Sequence, residues 1–136
     1  MTPKGHLYRK EYARELLIIA EGDISSARAL LKAREGRPEN ICFMSQQAVE
    51  KALKALICHF GHPIVHSHDL GALIKLIPSF ESIPHWENID SLTQYALVRR
   101  YEQGFEILES ADLLLTVKVS EEILEYASKI VKGSSS

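Results

Sequence analysis

The run from Cys42 to Leu70, CFMSQQAVEKALKALICHFGHPIVHSHDL, constrains this chain more than any other stretch. Cys42, Val49, Leu53, Leu56 and Phe60 recur at helical spacing, so they share one face. Gln46, Glu50 and Lys54 recur at steps of four and form a polar stripe on another face. Gly61 is placed to cap this helix, and Pro63 forbids its continuation. A histidine-rich turn then delivers His68-Asp69-Leu70 to the start of a further helix. A helix that only buried a face would not need this mixture of glutamines, acid and lysines followed by His-Asp.

The rest of the chain keeps the same period and predicts five helices and no strands. The first runs from about Leu7 to Ala33, with Tyr12, Leu16, Ile19, Ile24, Ala27, Leu30 and Leu31 as its apolar stripe. Gly22 costs this helix about 1 kcal/mol relative to Ala, but the stripe keeps phase on both sides, so the helix is expected to pass through it. Gly36-Arg37-Pro38 ends it. The second runs from about Glu39 to Phe60. The third covers about His68 to Ile77, with Ser67 as its cap and Asp69 favourable at its N-terminus. The fourth covers about Ile89 to Tyr101, and the fifth about Ala111 to Val131. Ala48, Ala52 and Ala55 share one side of the second helix and allow a neighbour to approach closely. Short connections between amphipathic helices predict an all-α, up-and-down bundle. One domain is expected over residues 1–132, with a flexible tail at 133–136.

Several function classes are excluded by composition. The chain has 136 residues and a net charge of -2. That length suits a single core, and the charge leaves no overall basic surface for a polyanion. No apolar run approaches the roughly 20 residues of a membrane span. The N-terminus lacks the apolar core of a secretory signal. Cys42 and Cys58 lie sixteen residues apart on one predicted helix, roughly 24 Å at its rise per residue, too far for a disulfide. Two buried thiols in a reducing cytoplasm are the expectation. No Gly-rich phosphate loop or nucleophile elbow occurs, and no cofactor is expected.

Four elements in fixed order resemble the HEPN family (higher eukaryote and prokaryote nucleotide-binding). They are Ala27-Arg28-Ala29-Leu30-Leu31 closing the first helix, Phe43 with Gln46-Gln47-Ala48 and Glu50-Lys51 through Lys54-Ala55, then His68-Asp69-Leu70, then Tyr95-Ala96 through Arg100-Tyr101. The resemblance spans about residues 12 to 131. It implies a helical bundle that forms a homodimer, of the stand-alone bacterial or archaeal type encoded beside a small nucleotidyltransferase. Several such pairs act as toxin–antitoxin modules. Active members resemble metal-independent RNases whose motif is an Arg followed four to six residues later by a His. Here the window after Arg99 and Arg100 reads Gly104, Phe105, Glu106 and Ile107, and no arginine of the chain has a His at that spacing. The missing group is the general acid/base that RNA cleavage needs at neutral pH. The resemblance therefore implies a non-catalytic member. The alternative is an RNase with a divergent site, in which Arg100 is aided by His68.

Each candidate site residue carries two readings. Gln46, Glu50 and Lys54 line a groove for nucleotide, RNA or a partner, or they form a solvated face stabilised by the Glu50–Lys54 pair, worth about 0.2–0.5 kcal/mol. Arg99, Arg100 and Tyr101 hold phosphate and stack a base, or they are surface residues at a helix C-terminus. His59, His62, His66 and His68 crowd one turn. A metal site is the sharp reading, but the helix breaks at Gly61 and Pro63 between them, and capping plus scattered surface histidines is preferred. His68 and Asp69 are expected to tie the third helix to the second or to rim the groove. Tyr8, Tyr12, Phe43, Phe80, Trp86 and Phe105 do not interleave with basic residues and read as core or interface anchors.

Overall fold

The computed structural model describes residues 3–63, 65–90 and 110–133. Four helices stand among them: α1 (Pro3–Ala33), α2 (Pro38–His59), α3 (Leu70–Ile74) and α4 (Ser110–Gly133). There is no strand among the described residues. Of the expected fourth helix, residues 89 and 90 are helical. Its remainder, with Arg99, Arg100, Tyr101 and the Gly104–Ile107 window, lies outside the described residues. So do the side chain of Tyr8, all of Phe105 and the 134–136 tail.

The three long helices pack mutually. Lys51 Nζ meets Asp23 Oδ2 at 3.0 Å, and Arg9 Nη1 donates to the Gly61 carbonyl at 3.0 Å. Numbers rise on α1 as they fall on α2, so the two are antiparallel. Glu21 pairs with Lys132 at 3.1 Å and Arg28 with Glu121 at 2.7 Å, which sets α4 antiparallel to α1 as well. The core is built from Leu17, Ile24, Leu53, Leu56, Leu70, Leu73 and Ile123, all fully buried. Ala48, Ala52 and Ala55 are also fully buried, as their small size on one side of α2 requires.

α1 passes through Gly22 without interruption. Its buried stripe is centred on Ala13, Leu17, Ala20, Ile24 and Ala27. Tyr12 and Ile19, assigned to that stripe from sequence, lie about 100° and about 120° off its centre line at the helical turn angle and are 38% and 49% exposed. Phe60 is likewise exposed, one residue past the last turn of α2. Of the expected aromatic anchors, Phe43 is also exposed, while Phe80 and Trp86 pack edge to face at 5.3 Å against the core.

The end of α2 is a Schellman cap. The Gly61 N–H donates to Cys58 O at 3.0 Å and the His62 N–H to Ile57 O at 3.1 Å. Gly61 sits at φ +85°, a conformation that favours glycine. The third helix is shorter than the sequence predicts. It begins at Leu70, and its N-cap is Asp69, whose Oδ1 accepts from the Ala72 N–H at 3.2 Å. Ser67, expected as the cap, instead accepts from the Asp69 N–H at 3.1 Å. Beyond Ile74 the chain tightens. Leu76 and Ile77 bond three residues back rather than four, because Pro78 disfavours the α conformation in the residue before it. The connection to residue 89 carries two 3-10 turns, Phe80–Ser82 and Trp86–Asn88.

Candidate functional site

α2 is buried on more sides than an amphipathic surface helix. Its apolar face enters the core, and the polar stripe is also covered. Gln46 is 7% exposed and Glu50 only 4%. A carboxylate so placed must be paired and hydrogen-bonded to remain charged. Glu50 is: its Oε2 accepts from Lys54 Nζ at 3.3 Å, and both its oxygens lie 3.1 Å from His68 Nδ1. The solvated-face reading of this stripe therefore fails at Gln46 and Glu50, although the expected Glu50–Lys54 pair is present.

The His68 contact is what carries the chain from α2 to α3. A carboxylate can only accept, so His68 Nδ1 carries the hydrogen, and in the neutral ring Nε2 holds the lone pair. The His68 side chain is 78% exposed while Glu50 beneath it is covered. The arrangement exposes an imidazole ring that is oriented by an acid. Asp69, next in sequence, turns the other way and caps α3. His68 thus ties the start of α3 to α2, one of the two roles the sequence offers for this pair.

The next residue, Lys51, joins Gln47 Oε1 at 3.1 Å and Asp23 Oδ2 at 3.0 Å. Sequence reasoning missed this bridge, because its partners lie 28 residues apart on different helices. His62 and His59 go to separate partners. His62 Nδ1 lies 2.9 Å from the Pro63 carbonyl. His59 packs edge-on against Phe60 at 5.0 Å, and burial, helped by the nearby Lys10 charge, lowers its pKa below the ordinary value. No group of three or more His, Cys, Asp or Glu suited to a metal ion occurs among the described residues. Cys42 and Cys58 are both buried thiols. The Cys58 thiol donates to the Arg9 carbonyl at 3.1 Å, and burial raises its pKa.

Two concavities flank this cluster. A groove of about 510 Å³ runs between the start of α1 and the end of α2, lined by Arg9, Tyr12, Glu15, Cys58 and His62 among others. A smaller pocket of about 90 Å³ continues it, sharing Tyr12, Cys58 and His62 and adding Lys54, Val65 and His66. Lys54 therefore stands both in the groove and on Glu50. A separate cleft of about 430 Å³ at the other end of the bundle is lined mainly by Leu30, Leu31, Ile41 and Leu113, with Arg34 and Glu35 at its edge. No described helix is long and apolar enough to cross a membrane.

The HEPN domain pattern matches residues 13–134. No curated protein gives a significant match. A crystal structure of TT1696 from Thermus thermophilus is similar in fold, with a TM-score of 0.70 at 23% identity, covering 86% of this chain and 96% of that one. The all-helical architecture, the order of the sequence elements and the extent of the domain match agree, and the chain belongs to the HEPN family.

Proposed function

We propose that this chain is a non-catalytic HEPN protein that works as a homodimer beside a small nucleotidyltransferase, in a toxin–antitoxin-like pair in the cytoplasm. It holds nucleotide or RNA in a cleft. The observation that supports a binding role is the covered Glu50 with Lys54 and an outward His68 on it. Burying a carboxylate in a surface helix is costly, and a helix that only packed against its neighbours would carry an apolar residue there. The proposed ligand-holding residues are Gln46, Glu50 and Lys54 on α2, with Arg99, Arg100 and Tyr101 for phosphate and base. The absence of a His four to six residues after any arginine supports binding without cleavage.

The test uses purified protein, labelled RNA and free nucleotides. Saturable binding that Lys54→Ala weakens, with the RNA left intact, is the expected result. Co-purification with the nucleotidyltransferase encoded next to it, where there is one, is expected of the pair. Failure to bind any nucleotide or RNA, in a protein that sediments as a monomer at micromolar concentration, would overturn the reading.

One observation favours the RNase alternative. The Glu50–His68 dyad has the geometry of an oriented general base, with Nδ1 held by the acid on a side chain that is 78% exposed. RNA degradation by pure protein, abolished in both Arg100→Ala and His68→Ala but retained in Arg14→Ala, would establish it.

A further inference from the structure

We propose that the groove between the start of α1 and the end of α2 binds a mononucleotide, with Arg9 gripping the phosphate and Tyr12 supporting the base. This rests on the nucleotide-binding reading above and gives it a location among the described residues.

The first argument is the state of Arg9. Its side chain is part-buried and donates through Nη1 to a neutral carbonyl, that of Gly61. Among the described residues no carboxylate lies within ion-pair distance of it, although Glu11 and Glu15 line the same groove. A guanidinium has five donors in a planar fork, so a bidentate face remains for an anion. A partly desolvated cation without a counter-ion favours phosphate over water.

The second argument is that Arg9 is held in place. Its carbonyl accepts from the Cys58 thiol and its side chain is anchored on Gly61. Gly61 itself is fixed by the cap at the end of α2, so the carbonyl that holds the guanidinium is fixed too. A site held at both backbone and side chain is pre-organised for its ligand.

The third argument is the lining. Tyr12 is 38% exposed although its neighbour Ala13 lies in the core, and it borders both parts of the groove. An exposed aromatic ring beside a cation suits a base. His62 Nδ1 is committed to the Pro63 carbonyl, so the neutral ring offers Nε2 as an acceptor for a ribose hydroxyl. Glu11 and Glu15 accept from amino groups, and Lys54 adds a second cation at the narrow end. The combined space falls within the about 300–1,000 Å³ of small-ligand sites.

The experiment is calorimetric titration of the full chain with adenosine 5′-monophosphate, inorganic phosphate and adenosine. The nucleotide is expected to bind saturably and more tightly than either fragment. Arg9→Gln keeps a donor for Gly61 and is expected to weaken the nucleotide at least tenfold, while Arg9→Lys recovers part of the loss. Tyr12→Leu is expected to weaken the nucleotide at least threefold and leave inorganic phosphate unchanged. If Arg9→Gln folds with an unaltered melting curve and binds the nucleotide as the parent does, the groove is not the site. Should RNA or nucleotide binding respond to Lys54→Ala and not to Arg9→Gln or Tyr12→Leu, the groove proposal falls and the broader reading survives. A parent protein that binds neither RNA nor any nucleotide overturns both.

Discussion

Glu50 is the residue whose replacement says most about this molecule. On a solvated helix face, losing it would remove one i, i+4 pair worth about 0.2–0.5 kcal/mol. In the structure it is 4% exposed and accepts from both Lys54 and His68. Hydrogen bonds to a charged group contribute about 1.5–3 kcal/mol each where both partners are covered. Here His68 and Lys54 reach solvent and recover hydration when the acid is removed, so the two bonds together are worth less than twice that. Glu50→Gln keeps the shape and one acceptor and is expected to cost about 1–2 kcal/mol. Glu50→Ala also leaves a void and should cost about 2–3 kcal/mol. Urea denaturation followed by circular dichroism measures this. With a slope of about 1.5 kcal/mol/M, about 2 kcal/mol lowers the midpoint by more than about 1 M. His68→Ala in the same series gives the coupling between the two side chains by a double-mutant cycle, expected near about 1 kcal/mol. A midpoint within about 0.3 M of the parent for Glu50→Ala, at unchanged slope, would mean that the acid contributes only as a surface residue and that the reasoning about its burial is wrong.

Three further expectations follow from single features. Ser45 is fully buried, and its hydroxyl has no partner among the described residues; Ser45→Ala should raise stability by about 1 kcal/mol, and a destabilised variant in the same urea titration would count against an unpaired hydroxyl. Gly61→Ala forces a side chain into φ +85° and should lower stability by about 1 kcal/mol, read as a drop in melting temperature of a few degrees; an unchanged melt would sink the cap argument. The folded pKa of His59 lies below its unfolded value of about 6.5, so the unfolded chain binds the extra proton first and stability falls as pH drops below about 6.5. His59→Gln should flatten that part of the stability–pH curve, and identical curves for the two proteins would refute the assignment.

Much of the bundle was legible because period and punctuation are local. The α2 face, the passage of α1 through Gly22 and the end at Gly61 depend on neighbours a few residues away. The errors have a common physical origin. Tyr12 and Ile19 are apolar enough to join a stripe, but the axis of the buried face is set by where α2 and α4 lie, and those two residues fall to its side. The third helix lost its last residues to Pro78 and its first two to Asp69, which takes the cap by accepting from the Ala72 N–H while Ser67 accepts from Asp69 itself. At the site, the His68–Asp69 pair was readable as a link between helices, because a capping acid and a histidine in sequence declare themselves. The covering of Gln46 and Glu50 was not, since a polar stripe looks the same whether water or protein lies over it. The Lys51–Asp23 bridge and the groove around Arg9 need residues 28 and 52 positions apart to meet, which no local pattern encodes.

The antiparallel pairing of α1 with both α2 and α4 has a kinetic consequence. The α1–α2 hairpin closes through Asp23–Lys51, 28 residues apart, whereas α4 reaches α1 through Glu21–Lys132, 111 apart. The entropy of bringing chain ends together grows as the logarithm of their separation, so the second closure costs about 1.2 kcal/mol more than the first if each starts from an open chain. Folding that begins at the hairpin avoids this difference, because α4 then docks on a surface already formed. The hairpin also leaves the ribosome first. Side chains between α1 and α2 should therefore show high φ values and those of α4 low ones, so that replacements on α4 act mainly by speeding unfolding.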